Sequence, residues 1–353
     1  MNIRQILENV VALGASDLFI IAGSSCAYKK DNQIIKYNNQ RLSPADTKQF
    51  IQDIYDLAMN ESFEKFEKTG DDDFSFSLAN IGRFRVNAYK QRTSLAAVLR
   101  IVSFDLPDYK KMRIPETIIN LYHQKKGMIL VTGPAGSGKS TTLACIIDKI
   151  NQNRNTHIIT IEDPIEYLHS HQKSLVSQRE VKHDTVSYNY ALRAALREAP
   201  EVILLGEMRD LETIETAVTA AETGHLLFSS LHTIGASHTV DRIIDVFPSN
   251  QQEQIRFQLS MVLNAVISQQ LVPAINGKMI PVFEIMFVNQ AIRTLIREGK
   301  THQIENVMLS HHQQGMITND EALLELYKNG EITKETALSH STNQIVLAKK
   351  LGI

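Results

Sequence analysis

The sequence predicts an α/β chain in two parts: a small α+β domain over residues 1–105 and a larger parallel-sheet domain over 116–353, joined by a linker at 106–115. Three observations carry that reading. Short apolar runs at Met128–Thr132, His157–Glu162, Val202–Gly206 and Leu226–Leu231 are separated by helical stretches, the pattern of strands buried on both faces of a parallel sheet. Upstream, Phe74, Phe76 and Leu78 alternate with Ser75 and Ser77, which marks a half-buried strand of a different kind of sheet. Between these textures, the stretch from Asp105 to Pro115 holds two prolines and a charge run, as an inter-domain connection does.

The elements follow in order. Leu18–Ala22 reads as a strand. Ser43 and Pro44 open a helix running towards Met59, with Ser43 as N-cap and Pro44 at the first helical position. Arg83–Tyr89 and Ala96–Val102 add strands, so the first domain is expected to be a meandering sheet with helices. In the second domain, Ile214, Ala217, Val218 and Ala221 recur at helical spacing over 211–223, and Gly224 ends that helix. From about residue 289 the chain reads as short helices only.

Composition narrows the function classes. The chain has 353 residues, 43% hydrophobic and 22% charged, enough for two folded cores. Its 37 basic and 39 acidic residues leave a net charge of -2, so no nucleic-acid partner is expected from global charge. Cys26 and Cys145 belong to no CxxC or Cys/His cluster, which argues against a structural zinc or a disulfide framework and for a reducing compartment. Arg4, Glu8 and Asp17 interrupt the amphipathic start, so no secretory signal is read there, and no run of 18 apolar residues occurs. A cytoplasmic chain is the expectation.

The chemistry concentrates after Thr132. Gly133, Pro134, Ala135, Gly136, Ser137, Gly138, Lys139 and Ser140 match GxxxxGK(S/T), entered by the strand MILVT and left by a helix that begins at Thr141. The glycines let backbone N–H groups curl around a β-phosphate, and the helix N-terminus adds its positive end. Lys139 brings charge to the β- and γ-phosphates, and Ser140 offers a hydroxyl to Mg²⁺. The cofactors implied are ATP and Mg²⁺.

Carboxylates and sensors follow. Val202–Leu205 is an apolar strand leading into Gly206 and Glu207; this is a Walker B arrangement in which Gly206 holds the more familiar aspartate position. Glu207 is the candidate Mg²⁺ ligand, directly or through water. A second strand ends in Glu162, Asp163 and Glu166. Strand C-termini in such sheets face the ligand crevice, which favours Glu162 for orienting or deprotonating the attacking water, with Asp163 and Glu166 as rivals. His225 and His232 bracket a third strand. His232 stands at its C-terminal end beside the expected phosphate position, whereas His225 reads equally well as structural. Arg85 and Arg100 in the first domain, and Arg197 and Arg209 near Walker B, are arginines suited to phosphate clamping, with plain salt bridges as the alternative.

The order GPAGSGKSTT, TIEDPIEY, ALREAPEVILLGEMRD, ETGHLLFSSLHT and TVDRIIDVFP closely resembles the secretion-ATPase superfamily, strongly over residues 130–250. In family terms these are Walker A, Asp box, Walker B, His box and a following helix. Residues 291–300, AIRTLIREGK, resemble the signature of the PilT-like pilus-retraction branch. The resemblance implies a PAS-like N-terminal domain, a RecA-like ATPase domain and a homohexamer that retracts type IV pili and supports twitching motility. It implies that Arg85 and Arg100 reach the nucleotide, and that the partner is an inner-membrane platform protein of the PilC kind, met at the cytoplasmic membrane. An assembly or type II secretion motor is the alternative. Two positions depart from the family pattern: Ala199, where an acid is usual, and Phe19, where a histidine is common.

Overall fold

The computed structural model describes residues 2–30, 33–59, 62–102, 104 and 106–352. Position 105, where the sequence reading ends the first domain, lies outside the described residues. The chain forms two compact units, Met1–Leu106 with Glu166–Ser170, and Pro107–Ile165 with His171–Ile353.

The first unit contains α1 (Ile3–Ala12), β1 (Asp17–Ile20), β2 (Ala27–Lys30), β3 (Gln33–Lys36), α2 (Pro44–Ala58), α3 (Phe63–Thr69), β4 (Asp71–Leu78), β5 (Gly82–Gln91) and β6 (Ser94–Val102). The expected Ser43 cap is a full capping box. Asp46 N–H donates to the Ser43 hydroxyl at 3.2 Å, and the Asp46 carboxylate accepts from Ser43 N–H at 2.7 Å. The sheet is antiparallel in the order β3-β2-β1-β6-β5-β4. The meandering sheet expected is present as two three-stranded meanders joined through the β1–β6 pair. Period-2 alternation buries Phe74, Phe76 and Leu78 against α2 and α3, and Tyr55 of α2 stacks on Phe66 with ring centroids 5.7 Å apart.

The second unit contains α4 (Glu116–Ile119), β7 (Gly127–Thr132), α5 (Lys139–Asn153), β8 (His157–Glu162), β9 (Leu175–Glu180), α6 (Tyr188–Ala195), β10 (Val202–Leu205), α7 (Leu211–Glu222), β11 (Leu226–Leu231), α8 (Ala236–Asp245), α9 (Gln252–Val262), β12 (Leu263–Pro273), β13 (Met279–Phe287), α10 (Gln290–Arg297), α11 (Ile304–Ser310), α12 (Asn319–Lys328), α13 (Lys334–Ser339) and α14 (Gln344–Lys350). The seven-stranded sheet runs β13-β12-β7-β11-β10-β8-β9, and every pair is parallel except β12–β13. Apolar runs appear as predicted because both faces are covered. Met128 and Leu130 pack on the α7–α9 side, while Ile129 and Val131 pack on the α5 side. Strands β9, β12 and β13 were not read from the sequence.

Residues 107–115, expected as a connection, fold with the second unit. Ile114 is buried beside Ile118, and the Cys145 thiol donates to the Pro107 carbonyl at 3.3 Å. The reason is apolar content: Tyr109 and Ile114 cover α5 instead of staying in solvent.

Candidate nucleotide site

The parallel registers decide which residues meet. Thr132 of β7 pairs with Leu231 of β11, and Leu205 of β10 pairs with both Ser229 of β11 and Ile161 of β8. Four strands therefore end at one edge, and that edge presents Gly133, His232, Gly206–Glu207 and Glu162. Cross-strand backbone bonds fix the edge: Gly206 N–H donates to Ile161 O at 2.8 Å, and the Ser230 hydroxyl donates to Gly206 O at 2.6 Å.

Glu207 and His232 come together as the strand ends require. His232 Nε2 lies 3.4 Å from Glu207 Oε2, and Arg209 Nε lies 2.7 Å from the same oxygen. The Glu207 side chain is only 15% exposed, so a low dielectric strengthens what it contacts, while Arg209 at 72% exposed adds little stability. Beside this pair is a cavity of about 350 Å³ lined by Glu207, Arg209, Ser230, His232, Thr233 and Arg242. On β8, Glu162 accepts from the Thr160 hydroxyl at 2.7 Å and from Gln178 Nε2 at 3.4 Å, so a neighbouring strand orients its carboxylate.

Gly206 explains why the usual Walker B aspartate is missing. A Cβ there would lie 2.9 Å from the Tyr188 hydroxyl and 3.2 Å from Ile161 O. The phenol of Tyr188 occupies the space. Burial, with the charges of Glu207, Asp163 and Glu162 adding to it, pushes that phenol up from its ordinary value, so it stays a neutral donor among three acids.

The phosphate loop is built tightly. Gly133, Gly136 and Gly138 have φ of 140, 77 and 89°, conformations that glycine adopts without strain. Lys139 Nζ is drawn back into the loop and donates to the carbonyls of Gly133 and Pro134, each at 3.0 Å. α5 has Gly138 as its N-cap and no side-chain cap, which leaves its first-turn N–H groups facing an anion site. Gln269 of β12 clamps the loop from behind. Its amide donates to Ser137 O and accepts from the Thr142 hydroxyl at 2.8 Å, and its backbone carbonyl packs on Gly133. These features fit a nucleotide triphosphate tail. Ser140 and Thr141 open the helix, with both side chains partly exposed.

Other candidates fall elsewhere. His225 closes α7 instead, its Nδ1 lying 2.9 Å from Ala220 O. It sits at the N-terminal end of β11, about 20 Å along the strand from His232 at ~3.3 Å per residue. Arg197 follows α6, and that helix carries it to the start of β10 rather than to Glu207; it is exposed and has no ion pair among the described residues. Asp163 pairs with Lys182 at 3.4 Å. Glu166 is exposed and clusters with the first unit. Arg85 and Arg100, also in that unit, face each other across β5–β6, and Arg100 Nε pairs with Asp17 Oδ1 at 3.1 Å. Tyr188 and Gln269 were missed. Gln269 is far from the loop in sequence, and Tyr188 gave no signal beyond its place at a helix start.

The Type II/IV secretion system protein family matches residues 1–351. The type IV pilus retractation ATPase PilT of Pseudomonas aeruginosa is 43% identical over 337 residues, covering 96% of this chain and 97% of the relative. The type IV pilus ATPase PilU of the same organism is 40% identical over 356 residues, covering 100% and 92%. A crystal structure of the pilus retraction motor PilT with bound ADP superposes with a TM-score of 0.87 at 47% identity, covering 99% of both chains. With the parallel sheet, the phosphate loop and the strand-end acids in place, the chain belongs to the Type II/IV secretion system protein family.

Proposed function

We propose that this chain is an ATP-hydrolysing motor that retracts type IV pili as a homohexamer. The observation that carries the chemistry is the meeting of Glu207 and His232 at 3.4 Å, on strands whose ends lie level with the phosphate loop. The loop N–H groups and Lys139 bind the ATP phosphates. Ser140 and Glu207 hold Mg²⁺, which supplies charge neutralisation at the phosphate oxygens. Glu162 orients the attacking water and takes its proton as the bond from the γ-phosphorus to the β–γ bridging oxygen breaks. His232 hydrogen-bonds the γ-phosphate end and so reports whether it is present. Arg85 and Arg100 supply the positive charge that transition-state oxygens need.

The likeness to PilT over nearly the whole of both chains supports retraction as the output. The partner is the inner-membrane platform protein of the pilus, met from the cytoplasm. No helix among the described residues is long and apolar enough to cross a membrane, which suits a peripheral association. The branch signature at 291–300 falls on α10. Its Ile292 and Ile296 are fully buried, and Arg293 binds the Ser260 and Met261 carbonyls at the end of α9. Ala291 and residues 297–300 are the exposed part of this signature that a partner can read.

ATP turnover of the purified chain tests the chemistry. Glu207→Ala is expected to bind ATP while turning over at least about 10²-fold more slowly, the scale set by losing one electrostatic group of a phosphoryl-transfer site. Wild-type turnover in that variant would place the metal carboxylate elsewhere.

A further inference from the structure

The loop that carries His232 is tied to the C-terminal helices by one carboxylate. α8 begins at Ala236, and its N-cap, Gly235, has no side chain to satisfy the first-turn N–H groups. Their acceptors come from the sheet instead. The Ser268 hydroxyl of β12 accepts from Gly235 N–H at 2.9 Å, and Glu284 Oε1 of β13 accepts from Ala236 N–H at 2.6 Å. Ser268 and Glu284 are direct cross-strand partners, so the two acceptors move as one piece. The second oxygen, Glu284 Oε2, accepts from the N–H of Asn319, the first residue of α12, at 3.1 Å.

One carboxylate therefore sits between the positive ends of two helices. One of these helices leads directly out of the His232 loop. The other opens the C-terminal helical region. Thr239 in the first turn of α8 completes the anchorage: its hydroxyl lies 2.8 Å from Gly235 O and 2.8 Å from the Thr233 hydroxyl. The loop 232–235 is thus held by Ser268 at Gly235 and by Glu284 at Ala236, and reaches Glu207 at its other end. Three residues separate His232 from Ala236, too few to absorb a shift at one without moving the other. Burial pushes the Glu284 carboxyl up from its ordinary value, against the two backbone bonds that favour its charged form, so the group is held there at a cost.

We infer that Glu284 is a positioning residue for hydrolysis: it sets the reach of His232 towards Glu207 and couples that reach to the seating of α12, given that His232 acts at the γ-phosphate as proposed above. Movement of the C-terminal helices is then felt as turnover rather than as nucleotide affinity, because among the described residues the hydrogen bonds of Glu284 go to α8 and α12 and none goes to the phosphate loop.

Three substitutions test the coupling. Glu284→Gln keeps the shape but exchanges one acceptor oxygen for a donor. Asn319→Pro deletes the N–H that faces Oε2 at a first-turn position where proline is tolerated, after an extended Thr318 that suits a following proline. Asn319→Ala is the comparison, because it loses the same side chain yet keeps the N–H. Glu284→Gln is expected to lower kcat about tenfold with KM for ATP within about twofold, the split that marks an interaction acting on turnover alone. Asn319→Pro is expected to lower kcat well beyond Asn319→Ala, and the double variant Glu284→Gln/Asn319→Pro to be no slower than the slower single. Unchanged kcat in Glu284→Gln, a raised KM with kcat intact, or losses that multiply in the double variant would overturn the inference. Should Asn319→Pro fail to fold, Ala236→Pro deletes the N–H facing Oε1 after a permissive glycine and decides in its place. His232→Ala separates the two levels: wild-type turnover there removes the role of His232 itself, whereas a slow His232→Ala beside an unaffected Glu284→Gln refutes only the coupling.

Discussion

Adding a single methyl group at Gly133 should disable the nucleotide site while leaving the fold standing. A Cβ on Gly133 would lie 2.0 Å from the backbone carbonyl oxygen of Gln269 and 2.9 Å from the Ser137 hydroxyl. Contacts of this kind do not close below 3.0 Å, so one side has to yield by 3.0 − 2.0 = 1.0 Å. Gln269 cannot supply it, because its strand is laddered to β7 on one side and to β13 on the other. The phosphate loop must move, and it must also hold an alanine at φ 140°, a backbone region costing about 1–3 kcal/mol for a non-glycine residue. Displacing a reacting group by about 1 Å costs on the order of 10²-fold in rate. Gly133→Ala is therefore expected to lower ATP turnover by at least that factor and to weaken binding of a fluorescent ATP analogue, with the calorimetric unfolding transition still present. Gly136→Ala is the control: nothing lies within 4 Å of its Cβ, and only the left-handed conformation is strained, at about 1–2 kcal/mol. Its turnover loss should be at least about tenfold smaller than that of Gly133→Ala. Wild-type turnover in Gly133→Ala would show that the loop is not held against β12, and the account of the cradle would fall.

Other outcomes are expected from the same geometry. Lys139→Ala should abolish hydrolysis and weaken ATP binding, since it removes the loop's only fixed cation, and steady-state turnover measures it. Gly206→Ala should lower turnover and Tyr188→Phe should relieve the contact, because the new methyl would sit 2.9 Å from the Tyr188 hydroxyl; equal turnover of the single and double variants would contradict this. Burial lowers His169 from its usual value to about 4. The folded state thus binds that proton less readily than the unfolded chain does, and the stability it contributes is present above pH ~6.5 and lost as pH falls towards ~4. Between pH 7 and pH 5 the wild type should lose about 2 kcal/mol by this route, measured as urea midpoints, and His169→Phe should lose correspondingly less.

What the sequence made legible was local. The phosphate loop is contiguous with the strand before it and the helix after it, so eight residues display the whole cradle. Glu162, Glu207 and His232 each end an apolar run, and in a parallel sheet strand ends share an edge; their convergence follows from type and spacing alone. What was hidden depended on distance along the chain or on direction in space. Gln269 meets Thr142 across 127 residues, on a strand whose NAVISQQLVP pattern is broken by polar positions. Arg197 is near Walker B in sequence, yet α6 runs from Tyr188 beside Gly206 back to the far end of β10 and takes Arg197 with it. His225 shares a strand with His232 but stands at its other end. Residues 291–300 read as a family signature, yet Ile292 and Ile296 are core, and truncating either to alanine costs about 2–5 kcal/mol. Ala199, the departure from the family pattern, has φ 50°, a conformation that aspartate and asparagine tolerate better than alanine does. Its oddity is therefore a matter of backbone as much as of charge.

The most direct test of the motor assignment is pilus dynamics in cells that lack this gene, with either the wild-type chain or Glu207→Ala returned to them. The account predicts long, abundant, static pili in the deletion, with retraction restored by the wild type and not by Glu207→Ala. Loss of pili altogether in the deletion would contradict retraction and make the chain an assembly motor built on the same hydrolytic site.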